Sequence, residues 1–488
     1  MLLKHTQKFD TMITFIISLI ILISGYFVYG HYIEKVFSPD KNRKTPAITS
    51  ADGVDYVPLS SKKIFLIQFL NIAGLGPIFG AIMGAMYGPV VFIWIVLGTL
   101  FCGAVHDYLS AMMSLRSNGK SLPELISNEL GVTAGIVMRI ITIVLMILVG
   151  AVFLSGPASL LTSMTGIDNL WWIIVIFAYY ILATLFPVDK IIGKVYPIFG
   201  FALLFMAFGI LIAIFINNNP MPELSDSFKN LNPNPEKYPI FPMLFITVAC
   251  GAISGFHATQ SPLMARCIKT EADGRKIFFG AMVAEGIVAS IWAAAAICFF
   301  GGMENFQNYM ADNGNSAAVV VKNISSTWLG VMGGFLALLG VVVAPITSAD
   351  TAFRSARLII ADFMNKEQKS FKNRILISAP LFIICIVLLN VNFDIIWRYF
   401  AWTNQSLAAI TLWSITLYLA RLNKNYFVTL LPAMFMSSVC MTYILVAPEG
   451  FAMSHVSGYV IGVSFSIFLL GLFIMNRRRI KAVSETRL

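Results

Sequence analysis

At 488 residues, 58% hydrophobic and only 12% charged, the chain falls well short of the charged fraction of about 25% found in soluble globular domains. Its mean hydropathy of +0.80 and repeated apolar runs of roughly 20 residues describe one polytopic bundle in a lipid bilayer. The net charge of +10 is compatible with nucleic acid or anionic lipid, but its placement along the chain assigns it to membrane topology, so no nucleic-acid partner is expected. Cys102, Cys250, Cys267, Cys298, Cys385 and Cys440 lie in or beside apolar runs with no CxxC pair, and read as small core residues.

In chain order the expected spans are 12–33, 63–88, 89–115, 134–163, 170–187, 194–216, 240–262, 275–301, 327–362, 373–391, 394–420, 425–447 and 454–475. The run from Thr11 to Val28 is too long for a signal peptide and lacks a small-x-small cleavage site, so it is kept as a span. Gly88-Pro89 predicts a tight turn. Ser121 and Glu124 form a capping box for a short helix that Gly131 ends, at the membrane surface. The Asn/Pro-rich stretch 217–239 is an exposed connection.

Two spans are broken. Ala73-Gly74-Leu75-Gly76-Pro77 interrupts 63–88, and a stretch from Gly251 through Gly255 to Pro262 interrupts 240–262. Lipid cannot satisfy the backbone groups that such breaks free, so they persist where they line a protein cavity. A pair of breaks in matching places of two halves points to a transporter's substrate site.

Loop charges order these spans. Alternate loops hold Lys35, Lys41, Arg43, Lys44, Lys62 and Lys63; Arg116, Lys120 and Arg139; Lys190 and Lys194; Arg266, Lys269, Arg275 and Lys276; Arg354, Arg357, Lys366, Lys369, Lys372 and Arg374; Arg421 and Lys424; and the basic tail from Arg477. Of 34 basic residues only Lys4, Lys8, Lys229, Lys237, Lys322 and Arg398 fall on the other side. The N-terminus is expected outside and the C-terminus in the cytoplasm. The broken spans are the second and seventh, five apart, and an odd repeat inserts upside down relative to its copy. The expected fold is therefore all-α, with about 13 transmembrane helices, a LeuT-like (APC-type) 5+5 inverted-repeat core and two discontinuous helices. The single transporter domain 1–488 divides into an N-terminal helix and loop (1–61), repeat A (62–217), an external loop (218–239), repeat B (240–421), and two C-terminal helices with a basic tail (422–488).

Candidate site residues are polar groups where polarity is expensive. Gln68, Asn71, Ala73, Gly74, Leu75, Gly76 and Pro77 surround the first break, whose restarting half-helix offers amide donors suited to a substrate carboxylate. Gly255, Phe256, His257, Thr259 and Gln260 surround the second, and Asn404 and Gln405 join from the eleventh span. His106, Asp107, Glu285 and Asp350 are candidates for ion coupling. Thr347 and Ser348, with the freed Ala73 carbonyl, could ligate a sodium ion, since neutral hydroxyl and carbonyl oxygens suit a hard cation. Arg398 could draw an anion into an outer vestibule. A bound sodium is the one cofactor expected, and oligomeric state is left open.

Several strings also carry a family resemblance: Asp52-Gly-Val-Asp-Tyr-Val-Pro58, Asn71-Ile-Ala-Gly-Leu-Gly-Pro-Ile-Phe-Gly80, Gly103-Ala-Val-His-Asp-Tyr108, Phe256-His-Ala-Thr-Gln-Ser-Pro262, Met264-Ala-Arg-Cys267, Pro345-Ile-Thr-Ser-Ala-Asp-Thr-Ala-Phe-Arg354 and Tyr399-Phe-Ala-Trp-Thr-Asn-Gln405. From about residue 50 to 450 the chain resembles a short form of the carbon starvation protein A (CstA) family. The resemblance implies an inner-membrane carrier for peptides or pyruvate used in carbon starvation. Longer members carry a His pair where Gln68 and Asn71 stand here. Enzyme chemistry is not expected: HExxH is absent, and Gly119-Lys120-Ser121 lacks the first P-loop glycine, which Ser114 replaces. A passive channel or membrane nutrient sensor is the alternative to a gradient-driven carrier.

Overall fold

The computed structural model describes residues 12–51, 56–185, 189–225, 228–364, 366 and 370–485, with side chains placed outside 184–197, 362 and 478–485. Lys4, Lys8 and the Asp52–Asp55 part of the first family string lie outside them. All regular structure among the described residues is helical. In lipid this follows from the backbone, because a helix satisfies its own N–H and C=O groups within one segment.

The helices are α1 (Ile13–Phe37), α2 (Ser61–Ile72 and Gly76–Ala85), α3 (Val90–Arg116), α4 (Leu122–Leu130), α5 (Val132–Thr165), α6 (Asn169–Leu185) and α7 (Asp189–Asn217). There follow α8 in pieces (Ile240–Leu244, Phe245–Thr247 and Gly255–Ala265), α9 (Glu271–Phe299), α10 (Met303–Asp312), α11 (Ala317–Ala361), α12 (Phe371–Leu388), α13 (Phe393–Arg421), α14 (Phe427–Val446) and α15 (His455–Glu485). Among the described residues nine helices are long and apolar enough to cross a membrane, and the bent pair of α2 makes a tenth. Three expected spans fall below that measure: α6 is short, α8 is fragmented, and α13 carries Arg398, Asn404 and Gln405.

Burial sorts the bundle. The apolar windows of α3 and α9 are each 83% buried, against 28% for α1 and α12 and 22% for α15. The first two are the axis of the protein. The others turn large apolar side chains such as Phe27, Ile383 and Phe468 outward, which suits a lipid-facing surface. The capping box at α4 forms as expected: the Ser121 N–H donates to Glu124 Oε2 at 3.0 Å.

Two elements depart from expectation. α10 has no long apolar run; it is amphipathic and buries only Phe306 and Met310, one turn apart, so its signal is too weak for a span. α11 starts ten residues before the expected 327 and breaks at Gly330 (φ 60°, ψ −146°), a left-handed backbone that glycine takes without a Cβ penalty.

The N-terminal segment closes one end of the bundle. Fully buried Glu271 accepts from Arg116 Nη2 at 2.9 Å and from the Asp40 N–H at 2.8 Å, with Arg43 at 3.6 Å. Arg275 pairs with Glu34 of α1 at 2.9 Å. At the opposite end Glu223 accepts the Ile13 and Thr14 N–H groups, capping α1.

Candidate functional site

The two broken helices meet. α2 stops at Ile72, takes non-helical backbone at Ala73 (φ −84°, ψ 50°) and restarts at Gly76 with a 56° bend. α8 stops at Thr247 and restarts at Gly255. The breaks touch at their least bulky points. A Cβ on Gly76 would lie 2.0 Å from Cys250 Cβ, so only glycine permits the crossing. α3 presses on the same place: a Cβ on Gly103 would sit 2.3 Å from the Ala252 carbonyl oxygen.

Both breaks sit earlier in the chain than expected. Gly76 and Pro77 already belong to the restarted half of α2, where Ile78 and Phe79 N–H both return to the Leu75 carbonyl and Pro77 has no N–H to offer. Fewer amides are thus open there than the glycines implied. In α8 the unwound stretch is 248–254, so Phe256, His257, Thr259 and Gln260 stand on the first turns of a helix rather than in the break. The cause is a cap supplied from another helix. Asn404 of α13 accepts the Phe256 N–H at 2.7 Å and its amide donates to Ser254 Oγ at 2.9 Å, which fixes the helix start.

The carbonyls freed by unwinding are also met from outside α8. Trp94 Nε1 donates to the Val248 carbonyl at 3.0 Å, Thr99 Oγ1 to Gly251 at 3.1 Å, and Gln405 Nε2 to Phe245 at 3.3 Å. Trp94 and Thr99 escaped sequence reading because both sit in an ordinary apolar span. Asn404 and Gln405, expected as substrate ligands, are in part scaffold.

Four ionisable side chains expected separately are brought together. Asp107 Oδ1 lies 2.8 Å from His106 Nδ1, and Asp107 Oδ2 lies 2.8 Å from His257 Nδ1. His257 Nε2 is 3.5 Å from Glu285 Oε2. All four residues have no solvent exposure. They come from α3, α8 and α9, so no local spacing could have linked His257 to Glu285. Beside them Gln68 Nε2 donates to Ser261 Oγ at 3.2 Å, joining the two broken helices. Gln68 Oε1 and Gln260 Oε1 are buried with no protein partner among the described residues. Asn71 is nearly buried on the same half of α2.

The remaining candidates lie apart from this chain. Thr347 and Ser348 both donate to the Ala344 carbonyl, at 2.7 and 3.1 Å, and Ala344 packs against Ile67 and Leu70 of α2. Asp350 is held by Arg354 at 3.4 Å and Tyr179 Oη at 3.3 Å, a structural pairing one turn from the hydroxyls. Arg398 lines a cavity of about 310 Å³ with Tyr87, Lys237 and Trp397. Its charge is already met by Glu449 at 3.1 Å, which weakens the pull on an anion that the sequence implied. Among the described residues, no group of three or more His, Cys, Asp or Glu side chains is arranged to hold a metal ion.

Comparison with known proteins agrees with this architecture. The family model "Carbon starvation protein CstA" matches residues 10–165, 154–331 and 315–443. An uncharacterized membrane protein of Haemophilus influenzae is 42% identical over 347 residues, which is 61% of this chain and 94% of that one. The peptide transporter CstA of Escherichia coli is 27% identical over 61% of this chain and 51% of its own. The E. coli pyruvate/proton symporter BtsT is 28% identical over 60% and 50%. The chain therefore spans about half the length of these two longer relatives. Among solved structures, a manganese transporter of Eremococcus coleocola (mutant E129A) superposes with a TM-score of 0.54 at 13% identity, over 88% of this chain and 99% of that one. A Na+-coupled sialic acid symporter gives 0.52 at 14%, over 92% and 96%. At such identity the likeness concerns the fold, that of LeuT-like transporters, and not the substrate.

Proposed function

The chain belongs to the carbon starvation protein CstA family, and from that premise we propose that it is a secondary active carrier importing small carboxylate-bearing nutrients, such as short peptides, pyruvate or amino acids. The observation that carries this reading is the crossing of two broken helices over buried groups that include open acceptors and a His–Asp–His–Glu chain. A break in each half is what alternating access about a fixed site needs. The relatives named for peptide and pyruvate transport favour a substrate with a carboxylate.

In this reading the carrier has thirteen spans in the inner membrane, its N-terminus outside and its C-terminal tail in the cytoplasm. α2, α3, α5, α6 and α7 form repeat A, and α8, α9, α11, α12 and α13 form repeat B, related by inversion. Support for the pairing comes from the matched breaks of α2 and α8 and the matched burial of α3 and α9. The coupling ion is a proton or sodium. Sodium has its own support, because Thr347 and Ser348 place two neutral hydroxyl oxygens on one turn of α11, beside the Ala344 that packs against α2.

The test is uptake into proteoliposomes of labelled pyruvate, alanine and dialanine, with sodium and proton gradients imposed separately. A carrier shows saturable counterflow and uphill accumulation under one gradient. Uptake that rises linearly with concentration, with no counterflow, refutes the reading in favour of a channel.

A further inference from the structure

One position in the buried chain of ionisable groups is free to load a proton. Asp107 faces a ring Nδ1 with each of its oxygens, His106 on one side and His257 on the other, both at 2.8 Å. A carboxylate in that position accepts from an Nδ1–H on each ring, an arrangement that turns each Nε2 away from Asp107. Both Nε2 atoms are buried with no hydrogen-bond partner among the described residues. Among the described residues only the His257 Nε2 of the two faces an acid, Glu285 at 3.5 Å. Glu285 itself has neither carboxyl oxygen hydrogen-bonded among the described residues and no solvent exposure. Its carboxyl is thus closed off from solvent and within reach of one base, the His257 Nε2.

We infer that Glu285 and the Nε2 of His257 form the proton-loading pair of the transport cycle, with Asp107 and His106 as the groups that position it. This rests on the carrier reading above. The proton arrives on a Glu285 oxygen and can cross to His257 Nε2, giving an imidazolium whose Nδ1–H stays on Asp107. Release from Nε2 regenerates the neutral ring. Only O–H and N–H bonds to that one proton form and break. With the proton the four side chains carry one negative charge in total, and without it they carry two. A substrate carboxylate beside the crossing is repelled less in the loaded state, so proton and anion bind together and the coupling is symport.

The two partners sit on unlike elements. Glu285 belongs to α9, one of the most buried helices, and His257 to the half of α8 that follows the break. Rotation of that half-helix opens or closes the Glu285 contact. The titratable groups facing Glu285 are few: His257 of α8, Asp107 of α3 and Cys250 in the break. Of the other stretches packed on α9, 76–85 of α2 and 198–217 of α7 contain no titratable residue. α1 carries Tyr26, Tyr29, His31, Tyr32 and Glu34, the last paired with Arg275, and the first half of α2 carries Lys62 and Lys63 at its start.

Glu285→Gln, Glu285→Asp and His257→Gln, purified and reconstituted, test the inference with labelled pyruvate and labelled dialanine as probes. Glu285→Gln and His257→Gln are expected to lose accumulation driven by a pH gradient. Glu285→Asp regains part of that accumulation. Infrared difference spectra between acidic and alkaline buffers give a readout that needs no substrate: a buried carboxyl band is expected in the unmodified protein, absent in Glu285→Gln and shifted in Glu285→Asp. Gradient-driven accumulation persisting in Glu285→Gln, or a carboxyl band unchanged by it, overturns the assignment and leaves the carrier reading standing. Sodium-driven accumulation that ignores a protonophore does the same. If the unmodified protein exchanges neither probe, the carrier reading itself fails and takes this one with it.

Discussion

Asn404 offers the sharpest test of how the second break is held. Its side chain reaches from α13 to the start of a half-helix on α8, accepting the Phe256 N–H at 2.7 Å and bonding Ser254 Oγ. In Asn404→Ala the Phe256 N–H stays buried and loses its partner, while Ser254 Oγ keeps only the Cys250 thiol at 3.7 Å. An orphaned buried donor costs about 1–3 kcal/mol, and loss of an N-cap typically costs about 1 kcal/mol. These terms overlap because the Phe256 bond is the cap, so the expected penalty on the seated half-helix is about 1–3 kcal/mol. At 1.4 kcal/mol per factor of ten, that lowers its population relative to unseated states by roughly 5- to 140-fold. The assay is initial uptake rate alongside thermal denaturation of the purified protein, with Ser254→Ala as the control. That control removes one hydroxyl and leaves the Phe256 cap, so its effect should be about 1 kcal/mol or less. Asn404→Asp keeps the acceptor and should retain the helix start better than alanine. If Asn404→Ala transports and denatures like the unmodified protein, the interhelical cap does not hold the break, and the account of why α8 restarts at Gly255 is wrong.

Gly76→Ala should abolish transport without preventing membrane insertion, because its Cβ would fall 2.0 Å from that of Cys250; Cys250→Gly in the same chain should restore part of the rate. Glu271→Ala removes the partner of Arg116, which is mostly buried, and should destabilise the folded protein by about 3–5 kcal/mol, read as a lower denaturation temperature. Glu449→Gln frees Arg398 in its cavity, and should raise the initial uptake rate of anionic pyruvate at low ionic strength, with the gain fading as salt is added. An unchanged salt dependence would show that Arg398 does not steer anions.

Much of the architecture was written locally. The apolar runs and the glycines at 74 and 76 dictate helices and breaks, since each is a response of a short stretch to lipid or water. The Ser121–Glu124 cap is local too, three residues reaching back on themselves. What could not be read locally is where a break ends and which polar groups meet. α8 restarts at Gly255 because Asn404, 149 positions later, accepts the next amide. Trp94 and Thr99 look like filler in α3 until the freed carbonyls of α8 lie against them. Likewise the His106–Asp107 pair, His257 and Glu285 stand far apart in the chain, and become one connected group only when α3, α8 and α9 pack together. Hydrophobic pattern is a property of a segment. The satisfaction of buried polar groups is a property of pairs of segments, and only the packed bundle chooses those pairs.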